Sequence, residues 1–216
     1  MTFTVGIVTG WKSAVKGVVF ALIIPRRKGR TVKNPFLIGT KVYLRPLERE
    51  DAPLFVPWVN DTEVTRTLET FYRPINLQTE VEFLERIYKS EHDVVFGIAV
   101  KETDALIGIT GLHQMDFKNR RLIFGIFIGE KDAWGKGYGT EATALVTDYA
   151  FETLNMNRVG LEVYEDNERG IKAYERVGFK REGILRQMMY REGRYWNVIL
   201  MSILREEWEA LKQQRR

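Results

Sequence analysis

The chain has 216 residues, 33 Lys and Arg against 29 Asp and Glu, and a formal net charge of +4. It contains no cysteine, which excludes a disulfide framework, thiolate–zinc sites and a cysteine nucleophile. Two histidines, His92 and His113, are too few for a histidine-rich metal centre or a Ser-His-Asp triad, so no metal is expected.

The charge is unevenly placed along the chain. Lys12, Lys16, Arg26, Arg27, Lys28, Arg30 and Lys33 fall in the first 40 residues, which hold no acid. The remaining 26 bases face 29 acids, a net of −3, so nucleic-acid binding could rest only on the N-terminal segment. The apolar run Val18-Val19-Phe20-Ala21-Leu22-Ile23-Ile24 is far shorter than the ~20 residues that span a bilayer. Pro25-Arg26-Arg27-Lys28 follows it where an export signal would carry small residues. No membrane partner is expected, and a cysteine-free chain fits a reducing cytoplasm. Pro25 to Pro35 reads as a linker. Residues 1–38 are therefore expected to form a basic, poorly ordered extension, and 39–216 the folded domain.

Lys41 to Arg45 alternates as a strand and is ended by Pro46. A helix is expected over Glu48 to Val59, with Leu54, Phe55 and Trp58 on one side and Pro57 near its end. A second helix spans Leu77 to Lys89, where Val81, Leu84, Ile87 and Tyr88 recur at helical spacing. The period then changes: Val94 to Val100, Leu106 to Leu112 and Leu122 to Ile128 read as three strands of an antiparallel meander. Thr140 to Leu154 is helical, with Ala144, Leu145, Tyr149 and Ala150 inward and Asn155 as the stop. Val159 to Val163 is a strand, and Glu168 to Arg176 a short helix broken at Gly178. Strands near Ile184 to Tyr190 and Tyr195 to Leu204 flank the turn Arg191-Glu192-Gly193-Arg194, and a terminal helix covers Arg205 to Gln213. Met188, Met189 and Tyr190 read as hairpin core or as the edge of a homodimer. The helix between Ile128 and Val159 has the length of a crossover, so those two strands can be parallel. The fold class is a mixed α/β one.

Ala133-Trp134-Gly135-Lys136-Gly137-Tyr138-Gly139-Thr140 lies between a strand and a helix, where exposed N–H groups and the helix dipole hold anions. Glycine at alternate positions lets the backbone approach a polyanion closely, or makes the segment a mere flexible turn. Neither familiar phosphate motif fits better. Gly6 to Ser13 fails the Walker spacing, and Thr140 stands where a dinucleotide fingerprint needs its third glycine. Glu162 sits where a ribose-binding acid would, but too few β/α units follow for two nucleotide-binding halves.

Taken together with Asn167-Glu168-Arg169 and Tyr174-Glu175-Arg176-Val177-Gly178-Phe179, this stretch resembles the GNAT superfamily of N-acetyltransferases. Tyr43-Leu44-Arg45-Pro46-Leu47, Gly183-Ile184-Leu185-Arg186, Gly193-Arg194-Tyr195 and Met201-Ser202 are similar to the branch holding ribosomal-protein N-terminal and spermidine acetyltransferases. The resemblance covers about Gly39 to Leu211. It implies a mostly antiparallel central sheet flanked by helices, and acetyl-CoA as donor. The family pattern (Gln/Arg)-x-x-Gly-x-(Gly/Ala) falls on Trp134, Gly137 and Gly139, so its first position departs. Gly135, Lys136, Gly137, Tyr138, Gly139 and Thr140 would then cradle the pyrophosphate. Pantetheine would lie along Phe127-Ile128, Asn167 would contact the cofactor, and Lys172 would meet a phosphate.

The resemblance also makes Tyr174 the acid that protonates the thiolate, and a backbone N–H near Ile128 the oxyanion donor. The strand position at which relatives often carry a carboxylate as the base falls on Ile123, which cannot accept a proton. Water, Glu69 or Asp116 could replace it, or the amine could already be neutral. An N-terminal α-amine near pKa 7.7–8.0 meets that last condition better than an ammonium near 10.4, which tilts the expected acceptor toward a protein or peptide N-terminus. A polyamine or other small amine is the alternative. A non-catalytic acyl-CoA sensor and a nucleic-acid- or ribosome-binding module using the basic segment stand further off. Phe71, Tyr72 and His113 are the candidate acceptor contacts.

Overall fold

A computed structural model describes residues 34–68 and 73–214. Phe36 stacks on Phe96 with ring centres 5.6 Å apart, and β1 (Leu37–Ile38) pairs antiparallel with β2 (Val42–Arg45). The folded domain therefore starts before residue 39, because the residues ahead of Gly39 already have a strand partner and an aromatic seat. Most of the expected extension lies outside the described residues.

A 3-10 turn at Arg49–Asp51 leads into α1 (Ala52–Val59), and α2 (Thr62–Thr65) is a single turn capped by Asp61. The turn is anchored by a buried pair in which Asp51 accepts from both terminal nitrogens of Arg45, at 2.7 and 2.8 Å. That pairing and the Coulomb field of Asp51 more than offset burial and raise the Arg45 pKa. Phe55 and Trp58 are buried, but Leu54 is 45% exposed, a correction to the expected inner face of α1. One helical position separates Leu54 from Phe55, about 100° around the axis, enough to turn it outward.

In α3 (Leu77–Tyr88) Val81 and Leu84 are buried, whereas Tyr88 is exposed and its hydroxyl donates to Leu47 O at 2.9 Å. The Asn76 side chain caps α3 by accepting from Thr79 N at 3.0 Å. Asn76→Ala should cost about 1 kcal/mol of stability, read as a lower urea midpoint at unchanged slope.

The meander follows as β3 (Val94–Val100), β4 (Leu106–Asp116) and β5 (Arg121–Ile128). Next come α4 (Tyr138–Glu152), β6 (Arg158–Tyr164), α5 (Glu168–Val177), β7 (Lys180–Arg191), β8 (Arg194–Leu204) and α6 (Arg205–Gln214). One eight-stranded sheet results, ordered β1-β2-β3-β4-β5-β6-β8-β7. Every neighbouring pair is antiparallel except β5 and β6, joined by the α4 crossover. Among the described residues no helix is long and apolar enough to cross a membrane.

Apolar side chains leave both faces of the sheet. Phe96, Ile98, Leu112, Leu122 and Phe124 pack with Val146, Ala150 and Phe151 of α4, while Val95, Ile109 and Phe127 join Phe55, Trp58 and Leu84 of α1 and α3. Coverage on both sides is why β3 reads as an unbroken apolar run. The buried side of α4 is Ala142, Thr143, Val146, Thr147, Ala150 and Phe151. Ala144, Leu145 and Tyr149, expected inward, flank that stripe half-buried, because two threonines occupy core positions. Ile184, Met188 and Tyr190 are at least half exposed on β7, the outer strand of the sheet, so Met188 and Tyr190 are not hairpin core.

Candidate active site

Strands β5 and β6 pair over only three positions: Arg121 with Arg158, Leu122 with Val159 and Ile123 with Gly160. Beyond Ile123 they part, and the gap is the site. The chain β5–α4–β6–α5 wraps around it, with the start of α4 at one end and Tyr164 at the other.

A cavity of about 540 Å³ occupies the α4 end, lined by Ile126, Phe127 and Ile128 of β5 and by the glycine segment. Gly135 and Gly137 take φ of +76° and +83°. A Cβ at Gly135 would touch nothing within 4 Å, so backbone conformation rather than space demands glycine there. Gly137 caps α4 without any side-chain hydrogen bond. The first-turn acid, Glu141, turns its carboxylate away to accept from Thr40 N and Lys41 N. The first N–H groups of α4, on residues lining the cavity, are thus left for an anion.

Two aromatic residues define the walls. The Trp134 indole donates to Ile128 O at 2.8 Å, and the Arg169 guanidinium lies over the indole, 4.3 Å from the ring centre. Deeper in, the Tyr174 ring packs against Phe124 and Phe179, both with centres 6.1 Å away. Burial pushes the Tyr174 phenol up from the ordinary value near 10 to about 12. Its hydroxyl makes no hydrogen bond with another described residue.

Tyr174 and Asn167 also line a second cavity of about 180 Å³, on the β6 side of the gap. Phe124, Leu68, Met189 and Val198 give it apolar walls, and one acidic residue, Glu162 of β6, lines it. Glu162 has no hydrogen bond or ion pair with another described residue. The neighbouring acids are all engaged. Asp166 binds Arg191 at 2.6 Å and Arg66 at 3.4 Å, Glu192 binds Arg66 at 3.3 Å, and Lys131 holds Asp61 and Glu63 at 2.7 and 3.1 Å.

The structure brings most of the expected cofactor residues together: Phe127, Ile128, Gly135, Gly137, Tyr138, Gly139, Thr140 and Asn167 all line the larger cavity. Lys136 and Lys172 do not. Lys136 sits with Lys41 and Lys101 at a separate shallow depression, and Lys172 is exposed and paired with Glu168 at 3.4 Å. The expected phosphate contact of Lys172 therefore finds no support in its position: one turn of α5 carries it past the wall that Arg169 occupies. Asn167 has a local task as well, accepting from Gly170 N at 2.9 Å to cap α5.

His113 lines neither cavity; its Nδ1 bonds Asp93 Oδ1 at 3.0 Å, on β4 opposite Ile123. Asp116, the last residue of β4, is held by Asn119 and Arg121, which keep its carboxyl below the usual range. Phe71, Tyr72 and Glu69 lie outside the described residues. Two residues that the motif reading did not assign to this site, Glu162 and Arg169, line it. Among the described residues no three or more of His, Cys, Asp and Glu come together as a metal-binding group.

The acetyltransferase (GNAT) domain family model matches residues 41–180. An uncharacterized N-acetyltransferase p20 of Bacillus licheniformis is 33% identical over 179 residues, covering 80% of this chain and 97% of that protein. The spermidine N(1)-acetyltransferase of Escherichia coli (strain K12) is 32% identical over 170 residues, covering 78% and 89%. Among solved structures, the spermidine N-acetyltransferase from Vibrio cholerae in complex with CoA and spermine superimposes with a TM-score of 0.72 at 26% identity, covering 79% and 99%. The chain belongs to the GNAT acetyltransferase family, whose members take their acetyl group from acetyl-CoA, and it is an N-acetyltransferase.

Proposed function

We propose that this GNAT enzyme acetylates a primary α-amine at the N-terminus of a protein or peptide, by direct attack and without a covalent enzyme intermediate. One observation carries the reading: Glu162 and Tyr174 line one cavity, at the point where β5 and β6 part, and the anion-binding start of α4 lies on the far side of Tyr174. Acetyl-CoA fits this arrangement, with a helix start free of side-chain caps for its pyrophosphate and an apolar β5 edge for its pantetheine. When bound it supplies an activated acyl group.

The chain supplies the rest. Glu162 takes the proton that the attacking nitrogen loses, and Tyr174 Oη holds a proton for the departing sulfur. The β5 backbone near Ile128 is placed to donate to the carbonyl oxygen as charge gathers there. At pH 7 about a tenth of an α-amine of pKa near 8 is already neutral, against less than about a thousandth of an amine near 10.4. A single carboxylate then suffices. That is what the cavity provides, since Asp61, Glu63, Asp166 and Glu192 are each held in an ion pair with a nearby base.

The relatives named as spermidine acetyltransferases favour a second reading, in which a polyamine is the acceptor. CoA-thiol release measured at pH 7.5 over N-terminal peptides, spermidine, spermine and amino acids separates the two. Turnover on peptides well above that on polyamines supports the proposal. Preference for spermidine overturns it, and no turnover on any amine leaves an acyl-CoA-binding protein without catalysis. The cytoplasm is the proposed compartment, in keeping with the absence of cysteine.

A further inference from the structure

We infer that Arg169, seated over the Trp134 ring, supplies the side-chain cation for the cofactor's pyrophosphate, replacing the polar residue that the family's glycine motif carries at the position of Trp134. The inference rests on the reading that acetyl-CoA binds at the start of α4.

Trp134 cannot do the work of the residue it replaces. An indole has one hydrogen-bond donor and no acceptor, and that donor is spent on Ile128 O at 2.8 Å. What remains is a ring face. That hydrogen bond ties the ring to the end of β5, and Ala133 ahead of it is buried, so the face is presented in a fixed direction. Over it lies Arg169, in the first turn of α5, itself set by the cap from Asn167 to Gly170 N. The stack therefore joins two walls of the cavity, the β5–α4 segment and the start of α5.

Stacking suits an arginine that must meet an anion. A guanidinium over an aromatic face uses its flat side and leaves the five N–H groups on its rim for a bidentate partner. Arg169 makes no ion pair with any described acid, whereas the acids around it are taken by other bases. Glu168 binds Lys172, Asp166 binds Arg191, and Glu63 binds Lys131. Its charge is thus uncompensated beside the free N–H groups of α4, on the wall of the same cavity. Two phosphoryl groups at that helix start would satisfy both.

Titration calorimetry on the full chain tests this, with CoA and with pantetheine (which lacks the pyrophosphate) as probes. Arg169→Ala should weaken CoA about tenfold or more and flatten its salt dependence, while pantetheine binds as before. Arg169 is exposed, so its thermal midpoint should not move. Trp134→Leu should weaken CoA less, and adding it to Arg169→Ala should cost nothing further, because the platform matters only through the arginine. CoA affinity within twofold of the unaltered protein in Arg169→Ala overturns the inference, as does equal loss for CoA and pantetheine. Strictly additive losses overturn the platform role of Trp134. Failure of the unaltered chain to bind CoA would be a different result, since it removes the cofactor reading itself.

Discussion

Tyr174→Phe is expected to lower kcat by about a hundredfold, with CoA affinity and thermal midpoint unchanged. The two expectations come from different parts of one side chain. The ring packs between Phe124 and Phe179, and phenylalanine keeps both contacts. The hydroxyl has no hydrogen-bond partner among the described residues, so removing it leaves no donor or acceptor stranded. A purely structural tyrosine would then be replaced at no cost to turnover. Full activity in Tyr174→Phe would end its role as the acid.

The titration of the same residue gives a second readout. Burial favours the neutral phenol and pushes its pKa up to about 12, so the acid form persists as pH rises through 10. A tyrosine at its ordinary value would begin losing that proton near pH 10, and the rate with it. The profile of kcat should therefore rise with pH and level off, with no falling limb below about pH 11. A fall centred near pH 10 would mean that the phenol doing the chemistry is solvated, or that another group does it.

Much of this arrangement was legible in local sequence, because local features caused it. Gly135 and Gly137 are needed for their positive φ, and Gly178 ends α5 at φ +121°. Asn155, expected as the stop of α4, takes φ +54° but lies past it, since the helix closes at Glu152 with Thr153 as its cap. The parallel step from β5 to β6 follows from a connection long enough to hold a helix. Glu162 was harder to assign. In Leu161-Glu162-Val163-Tyr164 it sits as the polar member of an alternating strand, the usual mark of a solvent face. Only the parting of β5 from β6 after Ile123 turns that face into a cavity wall, and no local pattern encodes where two strands separate. Arg169 was hidden for a related reason. A charged residue in the first turn of a polar helix looks solvated until an indole from a distant loop is laid beneath it. Trp134, legible as a departure from the family pattern, acquires its meaning only from that partner.

Glu162→Gln carries the largest consequence for identifying the acceptor. At pH 7 the variant should lose about a hundredfold in kcat/KM, since glutamine keeps the size and hydrogen-bonding reach of the side chain but cannot take a proton. The loss should shrink as pH rises, because an amine that is already neutral needs no base. Where it shrinks reports the pKa of the amine: near 8 for an N-terminal α-amine, beyond 10 for a polyamine. Tyr174 does not mask the recovery, since its proton stays in place well above that range. Activity within twofold of the unaltered enzyme at pH 7 would exclude Glu162 as the base. A deficit of constant size from pH 6 to 10 would make it a group that positions the acceptor rather than one that deprotonates it. Ile123 cannot compensate in either case, for it is apolar and lies in the closed part of the β5–β6 pairing, outside both cavities.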